Sequence, residues 1–382
     1  MRHVFADCEL DTDTLTLTRQ GRPVTVEPQV FDLIRLLAEN SGRVVTRDEI
    51  IEVVWKGRIV SESAISARIA AARKAVGDDG KQQAVIRTVA RRGLQMVSET
   101  GVPTPPCPAS QRIRYTADDE GRAIAYTVTG SGPPLLRVGY NTTHLEAEWN
   151  TPSERQCFDR LARQFSLLRF DPVGFGMSER CDIAVDFSTL AENALRAADA
   201  AGFETFAAYS ESGGVHTALA LAAHHPDRIS KLAIVGGYAN GRARRGARPP
   251  DTFHSLVSEG WDTPASPFAA ALLYSYFPEG PLDAVQAMGR NMQQASSKAN
   301  LLGIRTAIDE ISAIDLLPRI TCPTLIIHAR DDAVHPLSEA RKLAAGIDGA
   351  EMVVLETANH IPIPGNPVWE DFMTLLEDFL RS

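Results

Sequence analysis

The sequence predicts a multidomain chain: a small α+β unit followed by a larger α/β unit. Three observations predict it. Short strand-like runs give way to three helical patterns within residues 1–100, the order of an α+β domain. A spacer from Val102 to Ser110 places four prolines in nine residues, which forbids helix and favours an extended link. Beyond it, strand-like and helical segments alternate, as in a mainly parallel sheet. At 382 residues and 44% hydrophobic, the chain is long for one domain and can bury two cores. The expected boundaries are residues 1–100, a proline-rich linker at 101–111, and residues 112–382.

In the first unit, strand-like runs at Val4 to Leu10, Thr14 to Thr18 and Val24 to Val26 precede the helices. The first helix opens near Pro28, a good first-turn residue, and places Val30, Phe31, Ile34, Leu37 and Ala38 on one face before Ser41-Gly42. Thr46 with Glu49 three residues on is a capping-box pattern for the second, which carries Ile50, Val53 and Val54 toward Trp55. The third runs from about Ser61 to Val76, with Ile65, Ile69, Ala72 and Val76 at helical spacing. Runs at Val85 to Val89 and Leu94 to Val97 then flank Ala90-Arg91-Arg92-Gly93, a hairpin with a basic tip.

The net charge of −9 hides an asymmetry. Residues 41–98 hold eleven Lys/Arg against six Asp/Glu, whereas residues 101–382 hold twenty-four against thirty-four. A locally basic segment in an acidic chain suits nucleic acid. Five scattered cysteines (Cys8, Cys107, Cys157, Cys181, Cys322) without Cys-x-x-Cys spacing indicate neither a disulfide framework nor zinc. They read as reduced, mostly structural thiols. No apolar run approaches the ~20 residues of a membrane span, and no signal-peptide core follows Met1. A cytoplasmic protein is expected, with no metal or organic cofactor.

Helix, helix, longer helix and basic hairpin form the layout of a winged helix-turn-helix, whose third helix enters the major groove of double-stranded DNA. Arg68 and Lys74 lie off that helix's apolar stripe, with Ser63, Ser66 and Ala67 on the same side. Arg or Lys there can reach guanine edges or phosphate. Arg87, Thr88, Arg91 and Arg92 of the hairpin suit phosphate and sugar. Residues 4–98 resemble the OmpR/PhoB-type winged-helix effector domain, on Leu10-Asp11, Phe31-Asp32-Leu33, Val44-Val45-Thr46-Arg47, Val54-Trp55, Val60-Ser61-Glu62-Ser63 and Ile86-Arg87-Thr88-Val89 with Arg92-Gly93. Leu94 stands where that family usually has Tyr, and a small packing change is expected. A homodimer paired mainly through the second domain is expected, because such heads gain affinity by pairing.

After the linker, strand-like runs at Ala123 to Thr129, Leu135 to Val138, Ser166 to Phe170, Phe206 to Tyr209, Leu232 to Val235, Thr324 to Ile327 and Met352 to Leu355 alternate with helical segments. Ser210-Glu211-Ser212-Gly213-Gly214 follows one strand and opens an Ala/Leu-rich helix, the context of a nucleophile elbow. Ser212 is the expected nucleophile; Ser210 is a second candidate. Asp332 lies just beyond one later strand and His360 beyond the next, the acid-then-histidine order such a serine requires. The backbone N–H of Gly213, with that of Tyr140 in the loop Gly139-Tyr140-Asn141, would form the oxyanion hole. His144, His216 and His335 read as structural or pocket-lining.

Residues 112–382 resemble α/β hydrolases, especially those fused to bacterial regulatory domains. The resemblance rests on His144-Leu145-Glu146, Phe170 to Ser178, His225-Pro226-Asp227-Arg228, Leu317-Pro318-Arg319-Ile320 and Cys322-Pro323-Thr324. Val173 replaces an Arg common in relatives, which removes an expected ion pair. Residues 240–312 read as a helical lid, in which Trp261, Phe268, Tyr274, Tyr276 and Phe277 are either lid core or ligand wall. The resemblances imply a transcription regulator whose hydrolase-fold domain senses a small-molecule effector. The alternative is an active serine hydrolase of an ester, lactone or similar acyl substrate with a DNA-binding head.

Overall fold

The computed structural model describes residues 2–382 except 7, 13, 20, 21, 41, 42, 59, 82, 90, 91, 98–110, 141, 247–254, 256, 259 and 262–272. It divides into two compact units, Met1–Cys107 and Pro108–Ser382. Most of the predicted linker, together with Arg91, Asn141, Phe268 and the Ser41-Gly42 helix stop, lies outside the described residues.

The first unit begins with an antiparallel sheet of β1 (Arg2–Phe5), β2 (Cys8–Asp11), β3 (Thr16–Arg19) and β4 (Arg22–Val24), in that order. The single run expected over Val4 to Leu10 is in fact two strands, because the chain turns at Ala6 (φ 49°) and Phe5 pairs with Cys8. Helix α1 (Pro28–Glu39) buries Phe31, Ile34 and Leu37. Helix α2 (Arg47–Trp55) starts with the capping box: Glu49 N–H donates to Thr46 Oγ1 at 3.3 Å, and Thr46 N–H to Glu49 Oε2 at 2.7 Å. Losing such a cap costs about 1 kcal/mol. Helix α3 (Glu62–Ala75) is capped by Ser61. Its Ile65, Ala72 and the following Val76 join the same core as α1.

The expected hairpin, β6 (Ile86–Val89) and β7 (Gly93–Met96), has a third partner. Strand β5 (Val44–Thr46) pairs with β7, giving the order β5-β7-β6. Close passage of β5 explains Gly93: with φ 147°, a Cβ there would lie 1.9 Å from the Val45 carbonyl oxygen. Leu94 is buried in the core on the adjoining position.

The second unit is built on an eight-stranded sheet. In chain order its strands are β8 (Arg114–Ala117), β9 (Ala123–Thr129), β10 (Pro134–Val138), β11 (Ser166–Phe170), β12 (Phe206–Glu211), β13 (Ile229–Val235), β14 (Thr324–Ala329) and β15 (Glu351–Leu355). The spatial order is β15-β14-β13-β12-β10-β11-β9-β8. Strands β10 to β15 pair in parallel, and β8 and β9 add an antiparallel edge. Strand β8, with Arg114 and Tyr115 at an exposed edge, lacks the alternation that reveals a half-buried strand and was not expected from the sequence. The central strands are apolar on both faces because helices cover both; β12 and β14 are buried throughout.

Between β13 and β14 the chain leaves and re-enters the sheet layer through one neck. Asn240 and Ser312 form an antiparallel bridge, Gly241 N–H donates to Ile311 O at 2.8 Å, and Ala313 N–H donates to Ala239 O at 2.8 Å. The described part of this insertion includes the helices Leu282–Ala295 and Lys298–Glu310. Among the described residues, no helix is long and apolar enough to cross a membrane.

Candidate active site

Strand β12 ends at Glu211, and helix α4 (Gly214–His224) begins three residues later. Ser212 makes the turn between them with φ 50°, a left-handed conformation that costs a non-glycine residue roughly 1–2 kcal/mol. Its N–H donates to Val235 O at 2.9 Å on the neighbouring strand. Gly214 has no room for a side chain: a Cβ there would lie 1.8 Å from the Gly139 carbonyl oxygen. The turn is thereby pressed against the loop after β10, which carries Tyr140. Ser210 is wholly buried in β12 and pairs with Val138, away from any open space.

His360 Nε2 lies 2.8 Å from Ser212 Oγ, and His360 Nδ1 lies 2.7 Å from Asp332 Oδ2. The other carboxylate oxygen of Asp332 accepts from the Val334 N–H at 2.7 Å and the His335 N–H at 3.1 Å. Burial would raise the Asp332 pKa, but His360 beside it and these donors hold it below the usual carboxylate range. The three side chains expected from sequence are therefore brought into one hydrogen-bonded chain, with Asp332 anionic and able to orient the imidazole.

Above Ser212 and His360 opens a narrow cleft, of which about 100 Å³ admits the centre of a water-sized sphere. Its described walls are mainly Leu273, Phe277, Met288, Leu301, Ile304 and Ile361, with Tyr140, Thr142, Tyr276 and Arg305 as the polar members beside Ser212 and His360. Tyr276 and Phe277 thus line the cleft. Trp261 packs with Val257 and Leu301 inside the insertion, and Tyr274 is half-buried. Gly213 and Tyr140 stand on the same cleft as Ser212.

Histidines behind the cleft form a layer that the sequence did not reveal. His335 stacks on Tyr238 at 3.6 Å between ring centroids, and Tyr238 meets His216 edge-on at 4.5 Å. Burial pushes His216 down to about 3, so it is neutral near pH 7. His144 caps the helix Leu145–Trp149, its Nδ1 accepting from the Ala147 N–H at 3.2 Å.

Beneath the loop and elbow lies a buried ionic network, also missed. Arg137 of β10 contacts Glu211 at 2.7 Å, Glu148 at 3.1 Å and Glu154 at 3.7 Å. Arg169 of β11 is 3.6 Å from Glu148. The Tyr209 hydroxyl donates to Glu211, and the Tyr140 hydroxyl to Glu154 at 3.1 Å. Burial, reinforced by Glu148, pushes Glu154 up to about 7. The signal was available: Arg137 and Arg169 interrupt apolar core strands, where a charge requires a partner. Val173, at the position of the expected missing ion pair, packs into the main core.

In the first unit, Ser63, Ser66, Ala67 and Lys74 are exposed on α3, and Arg87, Thr88 and Arg92 on the hairpin. Arg68 is half-buried and engaged: its guanidinium pairs with Glu27 at 2.8 Å and donates to Gln29 at 3.0 Å. Reading a base with Arg68 requires exchanging these partners, a modest cost for a surface ion pair. Arg73, not singled out from sequence, donates to Ile86 O at 3.0 and 2.9 Å and to Thr88 Oγ1 at 2.9 Å, tying α3 to the hairpin.

A family model described as the C-terminal domain of transcriptional regulatory proteins matches residues 21–96. One described as the alpha/beta hydrolase fold matches residues 147–367. The transcriptional activator CadC of Escherichia coli (strain K12) is 38% identical over 120 residues, which are 31% of this chain and 20% of CadC. This chain therefore spans a fifth of that relative. The pyrrolizixenacetamide deacetylase of Xenorhabdus hominickii is 24% identical over 267 residues, 68% of this chain and 95% of that protein. Among solved structures, the enol-lactonase from Burkholderia xenovorans LB400 superposes with a TM-score of 0.57 at 24% identity, covering 70% of this chain and 100% of that one. At that identity the likeness is one of fold. The chain belongs to the α/β hydrolase fold family and carries, ahead of that fold, a transcription-regulator DNA-binding domain of the OmpR/PhoB type.

Proposed function

We propose that this DNA-binding regulator uses its hydrolase-fold domain as the effector-binding half, and that the effector is a small acyl compound with an apolar body. The observation that carries this reading is the apolar cleft opening directly onto Ser212 and His360. An effector there alters transcription to the extent that it binds one arrangement of the protein better than another. Pairing of two chains, mainly through the hydrolase-fold domain, would present two DNA-binding heads to one operator.

A second reading, turnover of the compound, is favoured by the unbroken hydrogen-bond chain from Asp332 through His360 to Ser212. Ser212 Oγ would attack the acyl carbon while His360 Nε2 takes its proton; Asp332 stabilises the resulting imidazolium. The N–H groups of Gly213 and Tyr140 would hold the developing oxyanion. His360 then returns the proton to the leaving group, and water attacking by the same route frees Ser212.

Ser212→Ala separates the readings, because it removes the nucleophile and leaves the cleft nearly unchanged. For a pure sensor, the variant still binds, gaining about 2.7 kcal/mol of stability at a ligand concentration 100-fold above Kd, and still switches a reporter promoter. A switch that depends on acylation or turnover binds but stays locked in one state.

A further inference from the structure

Arg242 follows the neck of the insertion and is half-buried. The Gly241-to-Ile311 hydrogen bond holds it against the C-terminal end of the helix Lys298–Glu310, whose Arg305 and Ile308 face the cleft. Arg242 and Arg305 are near enough for their charges to act on the Tyr238 hydroxyl, and Arg245 and Arg242 act likewise on His335. Arg242 and Arg245 thus lie behind the wall that Arg305 helps to form. The carboxylates facing them are Asp309, bound by Arg305 Nε at 2.9 Å, and Asp332, held by His360. Among the described residues, neither Arg242 nor Arg245 has an ion pair or a side-chain hydrogen bond.

Nearby buried polar atoms are also without partners. Tyr238 Oη, His335 Nδ1, both ring nitrogens of His216 and Arg245 Nη1 make no hydrogen bond, and Asp309 Oδ1 is the corresponding acceptor. Tyr238 is fully buried and His335 is 3% exposed. Buried polar groups are normally satisfied; of these atoms Arg245 Nη1 can only donate and Asp309 Oδ1 only accept, while the Tyr238 hydroxyl can donate to an incoming acceptor. Two guanidiniums without a carboxylate partner favour an anionic one. Arginine's planar fork matches a carboxylate bidentately.

We propose that the compound bound over Ser212 carries a carboxylate, which seats between Arg305 at the cleft wall and Arg242 behind it, within reach of the Tyr238 hydroxyl. This rests on the cleft being the effector site. Tyr276 sets the span: its ring lies 5.7 Å from that of His360, and its hydroxyl accepts from Arg305 Nη1 at 3.0 Å. The acyl carbon and the carboxylate are therefore separated by a short chain, as in a half-ester of a small dicarboxylic acid.

The test compares two esters with the same leaving group and acyl length, para-nitrophenyl pentanoate and mono-para-nitrophenyl glutarate. Wild type should favour the glutarate ester in kcat/KM; Arg242→Gln should lower that preference by about tenfold, the cost of one charge-assisted contact, and Arg242→Lys should restore part of it. A preference unchanged within twofold in Arg242→Gln overturns the proposal. A second arm needs no turnover: in Ser212→Ala, monomethyl glutarate should raise the melting temperature more than methyl pentanoate does, and Arg242→Gln should erase the difference. Equal shifts from the two compounds overturn the proposal. Cleavage of neither ester, with Arg242-dependent glutarate binding, defeats the hydrolase reading alone. Cleavage with a preference indifferent to Arg242 defeats the carboxylate subsite alone.

Discussion

Replacing Arg137 by Met tests whether the buried network holds the elbow and the loop after β10 together. The guanidinium is 3% exposed and serves Glu211, Glu148 and Glu154. Met fills similar volume but leaves three buried carboxylates with Arg169 alone, 3.6 Å from Glu148. Breaking a buried pair by removing one partner costs about 3–5 kcal/mol. At about 2–4 °C per kcal/mol for a domain of this size, the hydrolase-domain transition should fall by roughly 6–20 °C. Because Glu211 adjoins Ser212 and Arg137 precedes the Gly139-Tyr140 loop, labelling of Ser212 by a fluorophosphonate should slow as well. Adding Glu211→Gln should recover part of the stability, with a coupling of about 0.5–3 kcal/mol in a double-mutant cycle. Urea unfolding that places Arg137→Met within 1 kcal/mol of wild type, or strictly additive changes, would refute the network as a structural lock.

Glu154 should give stability a distinctive pH dependence. Its folded pKa of about 7 lies above the ordinary glutamate value of 4.5, so the folded state binds the proton more tightly. That contribution is complete below about pH 4.5 and is lost as pH rises through about 7; in Glu154→Gln, urea midpoints measured across this window should lack the loss. Burial of neutral His216 acts with the opposite sign, removing stability as pH falls through the ordinary histidine value of 6.5 toward about 3, and His216→Phe should reduce acid lability. DNA affinity of the full chain should fall steeply with salt, and Arg92→Ala should reduce the log–log slope by about 1 in binding isotherms. Arg68→Ala should relax base preference by less than the usual 1–3 kcal/mol, given the partners Arg68 must first release. Light scattering in the presence of effector and operator should give the mass of a dimer; a monomer would contradict the pairing proposal.

Much of this was legible because local chemistry and tertiary structure agree. Thr46 with Glu49, and Ser212 between strand and helix, are patterns whose geometry is fixed within a few residues. The order Ser212, Asp332, His360 could be read because each follows a strand whose own sequence is strongly apolar. Strand β5 was hidden, since three residues are too few to show a period, and it exists because β7 offers it a partner. The Arg137 network and the Tyr238, His335 and His216 layer were hidden for another reason. Their members come from separate elements, joined by β10–β12 pairing in one case and, in the other, by the helix after β12 meeting the loops after β13 and β14. The Glu27 and Gln29 partners of Arg68 were hidden because position along a helix says nothing of a residue arriving from outside it.

The cost of the Ser212 turn bears on the choice between sensing and chemistry. A receptor that only holds its ligand has no use for a serine at φ 50°, where glycine would avoid a strain of roughly 1–2 kcal/mol. Nor does reversible binding need Asp332 buried in its charged form behind His360, an arrangement with its own desolvation cost. Acyl transfer uses all of these at once: the strained turn projects Oγ, His360 takes its proton and Asp332 steadies the imidazolium. A regulator whose head is to be switched, in turn, needs a state that is occupied long enough to shift its populations. An acyl-enzyme that formed readily and hydrolysed slowly would satisfy both demands, using the strained geometry for chemistry and keeping the acyl group in the cleft after the leaving group had gone. Intact-mass analysis of the wild-type chain with its inducing ester should therefore show the acyl adduct on Ser212 while the reporter is switched, and an induced protein of unmodified mass would return the domain to the role of a simple receptor.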